Sequence, residues 1–435
     1  MRLIQGYFIT EISYYELKWQ LLGEWLSNGF AMYDETYDYT GPLAALVFKV
    51  VDWLFGRSVI AGQVLSSLVI IIQAWILNSL LLRSKVYDEN GYLPAFIYVV
   101  VISAIPDFKA LSPQLMSLTF VLLALRNVFR RIGNQVTDEL FLSCGIYIGI
   151  ASMIYLPAAI FLLAFLFSLI LFSTAIFRRL VLYLFGFLLV FSACAIYYYL
   201  RGSLNLFMER AIFSGAFQPS DAALPYSKYL IVSAPFLSIL LLSIVKKYGA
   251  VRLTNFQQKV EQVMWILSIS AVAVVFVSNE RSGHELIFFA PTLAYFWSYY
   301  FILLKRPFFK VIMPGILIFG LHLACIYNYL HSSDTVVATP SATIPPGTMI
   351  LGTDIANYEL ETIKSPFLFK EISEEVQAEL DTYEGVENFQ YILEKTQPKR
   401  IIDKMEVMPK VLFRLPEIQE DYLEISPNIF VKKLK

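Results

Sequence analysis

The chain has 435 residues, of which 57% are hydrophobic and only 16% are charged, and its mean hydropathy is +0.60. Soluble domains carry roughly 25% charged residues, so this composition indicates a protein that lies mostly in a lipid bilayer. The net charge of -1 and the lack of a Lys/Arg-rich block argue against a nucleic-acid partner. The three cysteines lie inside apolar runs without a C-x-x-C spacing, which favours buried thiols over disulfides or a zinc site.

Two amphipathic segments precede the long apolar runs. Residues 13–27 repeat apolar side chains at helical spacing and end before Gly29, which predicts a first helix. A second helix is predicted from Pro42 to Phe55, because proline suits the first helical position. This second run contains two charges and is too short to span a bilayer easily. We therefore expect both helices to lie in the membrane interface.

The segment between these two helices, "AMYDETYDYT", is acidic and aromatic. It contains Asp34, Glu35 and Asp38. Carboxylates this close together repel one another, which favours a cation or a basic neighbour beside them. The alternative is an ordinary solvated loop, since acidic loop residues are usually exposed.

Apolar runs of membrane-spanning length follow. A spanning helix needs about 20 mainly apolar residues, and this rule predicts about ten spans. The predicted spans are 59–82, 92–106, 111–128, 140–155, 157–176, 180–200, 229–247, 262–279, 285–304 and 311–330. Pro157 either breaks two short helices or separates a span from a re-entrant segment.

The basic residues predict how the chain is oriented. Loops that hold several Lys/Arg residues, such as Arg130-Arg131 and Arg178-Arg179, alternate with loops that hold few. The positive-inside rule places the first set in the cytoplasm. We therefore expect a multi-pass protein of the cytoplasmic (inner) membrane.

The same rule predicts three regions. Residues 1–58 form an extracytoplasmic front end, 59–330 a polytopic transmembrane domain and 331–435 an extracytoplasmic tail domain. The N-terminus is thus expected outside the cytoplasm, although no signal peptide opens the sequence. Either a preceding transmembrane helix is missing upstream, which we favour, or the front end crosses the membrane with the first hairpin. In the tail, "TMILG" and "KRIID" have the character of strands and "KEISEEVQAEL" has helical spacing. This predicts a small α/β domain. Because no Gly-rich loop follows "TMILG", nucleotide binding has no support in the sequence.

The front end and the overall plan resemble a known superfamily. Two juxtamembrane helices, the second in "TGPLAALVFKVVDWLFGRS", then many spans and a C-terminal extracytoplasmic domain are similar to the GT-C integral membrane glycosyltransferases. That superfamily includes protein mannosyltransferases and aminoarabinose transferases. The resemblance implies an all-α polytopic fold, a sugar donor carried on a polyprenyl phosphate, an inverting reaction and a carboxylate base in the first outer loop.

The resemblance also implies where the catalytic base lies. The superfamily commonly has an Asp-Glu pair before its first juxtamembrane helix, and here "YFITEISYYELKW" offers Glu11 without a preceding Asp. Glu11, Asp34 and Asp38 are therefore alternative catalytic residues. A base must reach the acceptor hydroxyl at hydrogen-bond distance, and the sequence identifies neither the sugar nor the acceptor.

Two further outer loops carry candidates for donor binding. Asp107 in "SAIPDFKALSP" is at a place where members of the superfamily often carry an acid. Arg281 and His284 in "SNERSGHELIFFAP" are candidates for donor-phosphate contacts, because arginine binds phosphate in a bidentate manner. The alternatives are an interfacial ion pair at Asp107 and a salt-bridged loop at Arg281. No His/Asp/Glu set has metal-ligand spacing, and Mg²⁺ or Mn²⁺ stays open as a cofactor.

Two other functions compete with a transferase. A non-catalytic accessory subunit of an envelope assembly is favoured by the incomplete acidic pair at Glu11. A transporter or flippase would carry ionisable residues in the middle of its spans, whereas the charges here collect in the loops.

Overall fold

Helices make up most of the protein, and a small sheet lies near its C-terminus. The computed structural model describes residues 14–36, 38–56, 58–87, 91–133, 137–172, 177–214, 226–250, 253–278, 281–304, 308, 315, 320, 345, 347–351, 380 and 382–433. Glu11 and most of the predicted helix "KEISEEVQAEL" lie outside these residues.

The helices follow one another with short connections. They are α1 (Tyr14–Ser27), α2 (Pro42–Phe55), α3 (Val59–Arg83), α4 (Leu93–Ala104), α5 (Pro113–Ile132), α6 (Asp138–Ile154), α7 (Ile160–Phe172), α8 (Phe177–Leu200), α9 (Tyr226–Ala250), α10 (Asn255–Val277) and α11 (Ala290–Ile302). Three 3₁₀ turns lie at Pro106–Lys109, Leu156–Ala159 and His284–Phe289, and a π-helical turn lies at Phe207–Ser214.

Local capping explains several helix ends. Proline begins α2 as predicted, and Gly56 ends it with a φ of 61°. The Ser112 hydroxyl accepts a hydrogen bond from the Leu115 N–H and caps α5. Thr254 and Gln257 form a reciprocal capping box at the start of α10.

The predicted spans coincide with helices in most of the chain. The break predicted at Pro157 is present, because α6 ends at Ile154 and a 3₁₀ turn precedes α7. Within the described residues, three helices are long and apolar enough to cross a membrane, namely α3, α8 and α10. Most of the predicted span 311–330 lies outside the described residues, so the count of about ten spans stays a prediction.

Glycines allow α6 and α8 to approach each other closely. A Cβ at Gly145 would overlap the carbonyl oxygen of Tyr183, and one at Gly186 would overlap that of Leu142. A Cβ at Gly149 would lie 3.0 Å from the Cβ of Val190. Small residues that bring backbones together are typical of helix pairs in membranes, so this seam fixes α8 against α6.

The tail contains a four-stranded sheet. Its strands are β1 (Thr348–Leu351), β2 (Arg400–Asp403), β3 (Tyr422–Ser426) and β4 (Ile429–Lys432), in the order β1-β2-β4-β3. Strand β1 pairs with β2 in parallel, and the other pairings are antiparallel. Among the described residues of the tail, the sheet is accompanied by the helices α12 (Tyr383–Thr396), α13 (Met408–Arg414) and α14 (Pro416–Asp421). The predicted strands in "TMILG" and "KRIID" are thus confirmed as β1 and β2.

A buried carboxylate ends β2. Asp403 accepts hydrogen bonds from the backbone N–H groups of Met405 and Met408 at 3.0 and 2.7 Å. Burial raises the pKa of the Asp403 carboxyl above its ordinary value, while these N–H groups oppose that rise. The loop after β2 is therefore folded around this side chain.

The chain divides into two compact units. One unit contains Leu22–Asn28 and the helices from α2 to α11. The second contains the first part of α1, the loop Gly29–Asp38 and the tail. Each unit is described by itself below.

Candidate functional site

The acidic loop, Gly29–Asp38, belongs to the second unit and is tied to it by lysines. Glu35 accepts a hydrogen bond from the Ala31 N–H at 2.6 Å and forms an ion pair with Lys395 of α12 at 3.3 Å. The Lys395 ammonium also donates to the Gly29 carbonyl at 3.2 Å and lies 3.9 Å from the centroid of the Phe30 ring. One lysine therefore fixes the start of the loop and one of its carboxylates.

A second lysine is paired with the end of the same loop. Asp38 is buried and forms an ion pair of 3.9 Å with the buried Lys18 of α1. Asp34 is exposed. Of the three carboxylates, Glu35 and Asp38 thus take part in ion pairs, and Asp34 presents its side chain to solvent. Their role as a base stays a prediction, as does that of Glu11.

A second polar cluster lies in the first unit, between α10 and α11. The Ser278–Glu285 loop, apart from residues 279 and 280, is described in full. Arg281 and Gly283 have positive φ values of 36° and 87°. A positive φ is uncommon for a residue with a Cβ, so Arg281 marks a tightly bent segment.

Arg281 and His284 have different surroundings in this loop. The Arg281 guanidinium lies 4.8 Å from the centroid of the Tyr226 ring on α9, and Arg281 stays partly exposed. His284 is buried, its Nδ1 is 3.2 Å from the Ser282 Oγ, and its ring centroid is 5.8 Å from that of Phe108. For Asp107, the third predicted donor contact, the structure gives only the backbone of a 3₁₀ turn.

Glu285 occupies the centre of the cluster and was not among the predicted site residues. Its side chain is fully buried, with 0% exposure. One oxygen, Oε1, accepts from the hydroxyls of Tyr155, Ser278 and Ser282 at 3.3, 2.9 and 3.2 Å and from the Ser282 N–H at 3.3 Å. The other, Oε2, accepts from the Tyr229 hydroxyl at 2.7 Å and the Gly283 N–H at 2.9 Å. We call these donors the Glu285 cage.

An apolar cavity of about 310 Å³ lies beside the cluster, between α4, α9, α10 and α11. Small-ligand pockets have volumes of roughly 300–1,000 Å³. The cavity is lined by aliphatic and aromatic side chains, among them Leu230, Leu237 and Phe276. Tyr226 and Tyr229 also line it, and both contact the Ser278–Glu285 loop. The cavity and the polar loop therefore share a wall.

The described residues contain no built site for a metal ion. Among the described residues, no group of three or more His, Cys, Asp and Glu side chains is arranged to hold a metal ion. Glu11 and Glu280 lie outside the described residues.

Solved structures that are similar to this chain include an oligosaccharyltransferase and ArnT. Archaeal oligosaccharyltransferase AglB from Archaeoglobus fulgidus, in complex with an inhibitory peptide and a dolichol-phosphate, is 11% identical with a TM-score of 0.46 and matches 97% of this chain. ArnT from Cupriavidus metallidurans, bound to undecaprenyl phosphate, is 14% identical with a TM-score of 0.49 and matches 75%. The apo form of the Archaeoglobus enzyme is 12% identical with a TM-score of 0.45 and matches 89%.

The matches cover 70%, 61% and 65% of those three chains, respectively. No family model matches this chain, and no curated protein matches it. With TM-scores below 0.5, the likeness assigns no activity to this chain. The sequence resemblance to GT-C glycosyltransferases predicted similar structures of this kind, and an oligosaccharyltransferase is among them.

Proposed function

We propose that the protein is a membrane glycosyltransferase that takes a sugar from a polyprenyl-phosphate-linked donor on the extracytoplasmic face and inverts its anomeric centre. The observation that carries this proposal is the wall shared by the apolar cavity and the loop that holds Arg281 and His284. Tyr226 and Tyr229 form that wall. A ligand with an apolar chain and an anionic head suits such a site, because each part meets matching surroundings.

The two parts of the donor would have different partners. The polyprenyl chain would lie in the cavity among side chains such as Leu230, Leu237 and Phe276. The phosphate would lie at the loop, where the planar Arg281 guanidinium suits bidentate contacts with phosphate oxygens. His284 would supply a further polar contact.

The base of the proposed reaction is a carboxylate of the front end. Asp34 is favoured within the acidic loop because its side chain is exposed, whereas Glu35 and Asp38 are in ion pairs with lysines. Glu11 remains the positional match of the sequence resemblance. Mg²⁺ or Mn²⁺ stays an open alternative for charge compensation at the donor.

Native mass spectrometry of the full chain, gently extracted from its own membranes, tests the donor site. We expect a co-purifying polyprenyl-phosphate sugar in the wild type and its loss in Arg281→Ala. Arg201→Ala is a matched control, because Arg201 also lies over a tyrosine ring, at 5.6 Å from the Tyr197 centroid, but on another loop. Finding only bulk phospholipid in the wild type and both variants would contradict the proposal.

A non-catalytic accessory subunit is the second candidate. It is favoured by the ion pairs of Glu35 and Asp38, which leave few free carboxylates in the acidic loop. Transfer of a labelled sugar in membranes that carry Glu11→Gln, Asp34→Asn and Asp38→Asn together separates the two functions. A transferase loses transfer in this variant, whereas an accessory subunit leaves the transfer unchanged.

A further inference from the structure

A group of arginines lies where α5 ends and α8 begins. Arg131 is in the last turn of α5, and Arg178 and Arg179 are in the first turn of α8. Both places belong to the loops rich in Lys/Arg that the positive-inside rule assigns to the cytoplasm. The group is therefore predicted on the membrane face opposite to the Ser278–Glu285 loop, so what binds there is independent of the proposed donor site.

Asp138 at the start of α6 is an acid shared by the two arginines of α8. The Arg178 Nη2 donates to Asp138 Oδ2 at 2.5 Å, and the Arg179 Nε donates to Asp138 Oδ1 at 3.1 Å. The Arg179 guanidinium also lies 5.8 Å from the centroid of the Phe141 ring, and the next acid, Glu139, is exposed. Within the described part of the chain, Arg179 uses only its Nε for a hydrogen bond, which leaves its two terminal nitrogens as donors.

Arg131 is a buried cation beside Arg179. Only 7% of Arg131 is exposed, and its Nε has no hydrogen-bond partner among the residues that the structure describes. Burial and the positive charge of Arg179 lower the pKa of the Arg131 guanidinium below its ordinary value. Arginine still stays protonated in proteins, so two positive charges are held next to each other here.

The surroundings of these charges favour an anion. Burying a charge is costly unless a partner of opposite sign compensates for the lost water. The N-terminus of a helix carries a partial positive charge, so the start of α8 adds to the charges of its own two arginines. Asp138 supplies one negative charge against Arg178, Arg179 and the neighbouring Arg131. The local charge is therefore complementary to a further anion.

We propose that Arg131 and Arg179 bind a phosphate group, with Asp138 holding the Arg179 guanidinium in place. A planar guanidinium suits phosphate because two of its N–H groups donate in parallel to two phosphate oxygens. A phosphate between the two guanidinium groups also offsets their mutual repulsion.

Two sources carry such a group, namely the headgroup of an anionic lipid and free phosphate. Basic pockets between membrane helices on the cytoplasmic side suit lipid headgroups. On α8, exposed apolar side chains begin within a turn of the arginines, at Val181, Leu184 and Phe185. These side chains suit contact with acyl chains, so the lipid is the expected source.

Thermal unfolding of the full chain in neutral detergent, with increasing phosphatidylglycerol, measures binding. Phosphatidylcholine is the comparison lipid, because its choline cation offsets its phosphate. We expect phosphatidylglycerol to raise the unfolding midpoint of the wild type, since a ligand of the folded state stabilises that state. In Arg131→Met the apparent affinity should fall at least about tenfold, because hydrogen bonds between charged groups are lost.

Two further variants make the test specific. Arg83→Met is the matched control, because it removes the same charge from the exposed end of α3. Its response to phosphatidylglycerol should equal that of the wild type. Arg179→Met removes the second guanidinium at a more exposed position, with 19% of its side chain exposed. It should weaken the response as well, and it keeps the test decisive if Arg131→Met does not fold.

Inorganic phosphate at constant ionic strength distinguishes the two sources. A response to phosphatidylglycerol alone identifies a lipid headgroup, whereas an equal response to inorganic phosphate, lost in Arg131→Met, identifies free phosphate at the same site. A wild type that responds to neither anion would overturn the proposal, and so would equal responses of the wild type, Arg131→Met and Arg179→Met. An equal loss of response in Arg83→Met would also overturn it, because surface charge alone would then explain binding.

Discussion

The acidic loop and the Ser278–Glu285 loop hold carboxylates in different ways. In the acidic loop, Glu35 is partly exposed and is neutralised by Lys395, with both side chains about a quarter exposed. In the Ser278–Glu285 loop, Glu285 is fully buried and accepts hydrogen bonds from neutral donors only, among the described residues.

The difference teaches what each carboxylate can do. An exposed ion pair contributes little stability and weakens with salt, so it fastens a segment loosely. A buried carboxylate surrounded by directional donors orients each of them, because leaving any donor unpaired is costly. The first arrangement suits attachment of the acidic loop, and the second suits precise placement of neighbouring groups.

Removing the carboxylate of Glu285 should have the largest effect. Glu285→Ala removes the acceptor of the Ser282 N–H group and of the Ser278 and Tyr229 hydroxyls. We expect a loss of more than about 3 kcal/mol in the free energy of unfolding. The thermal unfolding midpoint in detergent measures it, with Glu35→Ala as the control. Equal losses of unfolding free energy in Glu285→Ala and Glu35→Ala would contradict the difference between the two loops.

Removing one donor of the Glu285 cage should cost less. Tyr229→Phe deletes a 2.7 Å hydrogen bond to a carboxylate, which is worth roughly 1.5–3 kcal/mol. Tyr183→Phe is the control, since its hydroxyl donates to the neutral Leu162 carbonyl at 2.9 Å. A larger drop in the unfolding midpoint for Tyr229→Phe than for Tyr183→Phe would support the stronger hydrogen bond to the Glu285 carboxylate. A smaller drop for Tyr229→Phe would argue against a special role of the carboxylate.

Loss of the lysine that holds the acidic loop should have a smaller effect. Lys395→Met removes the ion pair to Glu35 and the contact with the Phe30 ring, together worth about 1 kcal/mol. The destabilisation should shrink in 0.5 M NaCl because salt screens exposed charges. Lys399→Met, at an exposed position of the tail, is the control. Destabilisation of Lys395→Met that does not depend on salt would contradict the electrostatic origin.

The exposed acid of the acidic loop should matter least for stability. Asp34→Asn is expected to leave the unfolding midpoint unchanged, because Asp34 is exposed and surface changes are usually close to neutral. If Asp34 is the base, sugar transfer is lost in the same variant. Unchanged transfer would leave Glu11 or Asp38 as the base, and a lowered midpoint would reveal a structural role.

Local signals in the sequence predicted the parts of the fold that depend on neighbours along the chain. Pro42 begins α2 and Gly56 ends it, because proline favours helix starts and glycine favours helix ends regardless of the rest of the chain. Pro157 separates α6 from α7 for the same kind of reason. The strands β1 and β2 follow from short apolar runs.

Contacts between distant residues could not be predicted in this way. Lys395 and Glu35 are 360 residues apart, and no local pattern relates them. The sequence marks the loop around Arg281 and His284 but gives Glu285 beside them no role. A signal was available, since an acid at the start of the apolar run "LIFFAP" is costly unless it is compensated.

The glycine seam between α6 and α8 has a consequence for how the protein is made. Only 11% of the most apolar stretch of α8 is buried, against 50% for α3 and for α10. Such a helix is apolar enough to enter a bilayer on its own composition, and helices in membranes insert first and associate afterwards. Helix α8 would thus be inserted as an independent segment during synthesis, and docking of Gly186 against α6 would be a later step in assembly.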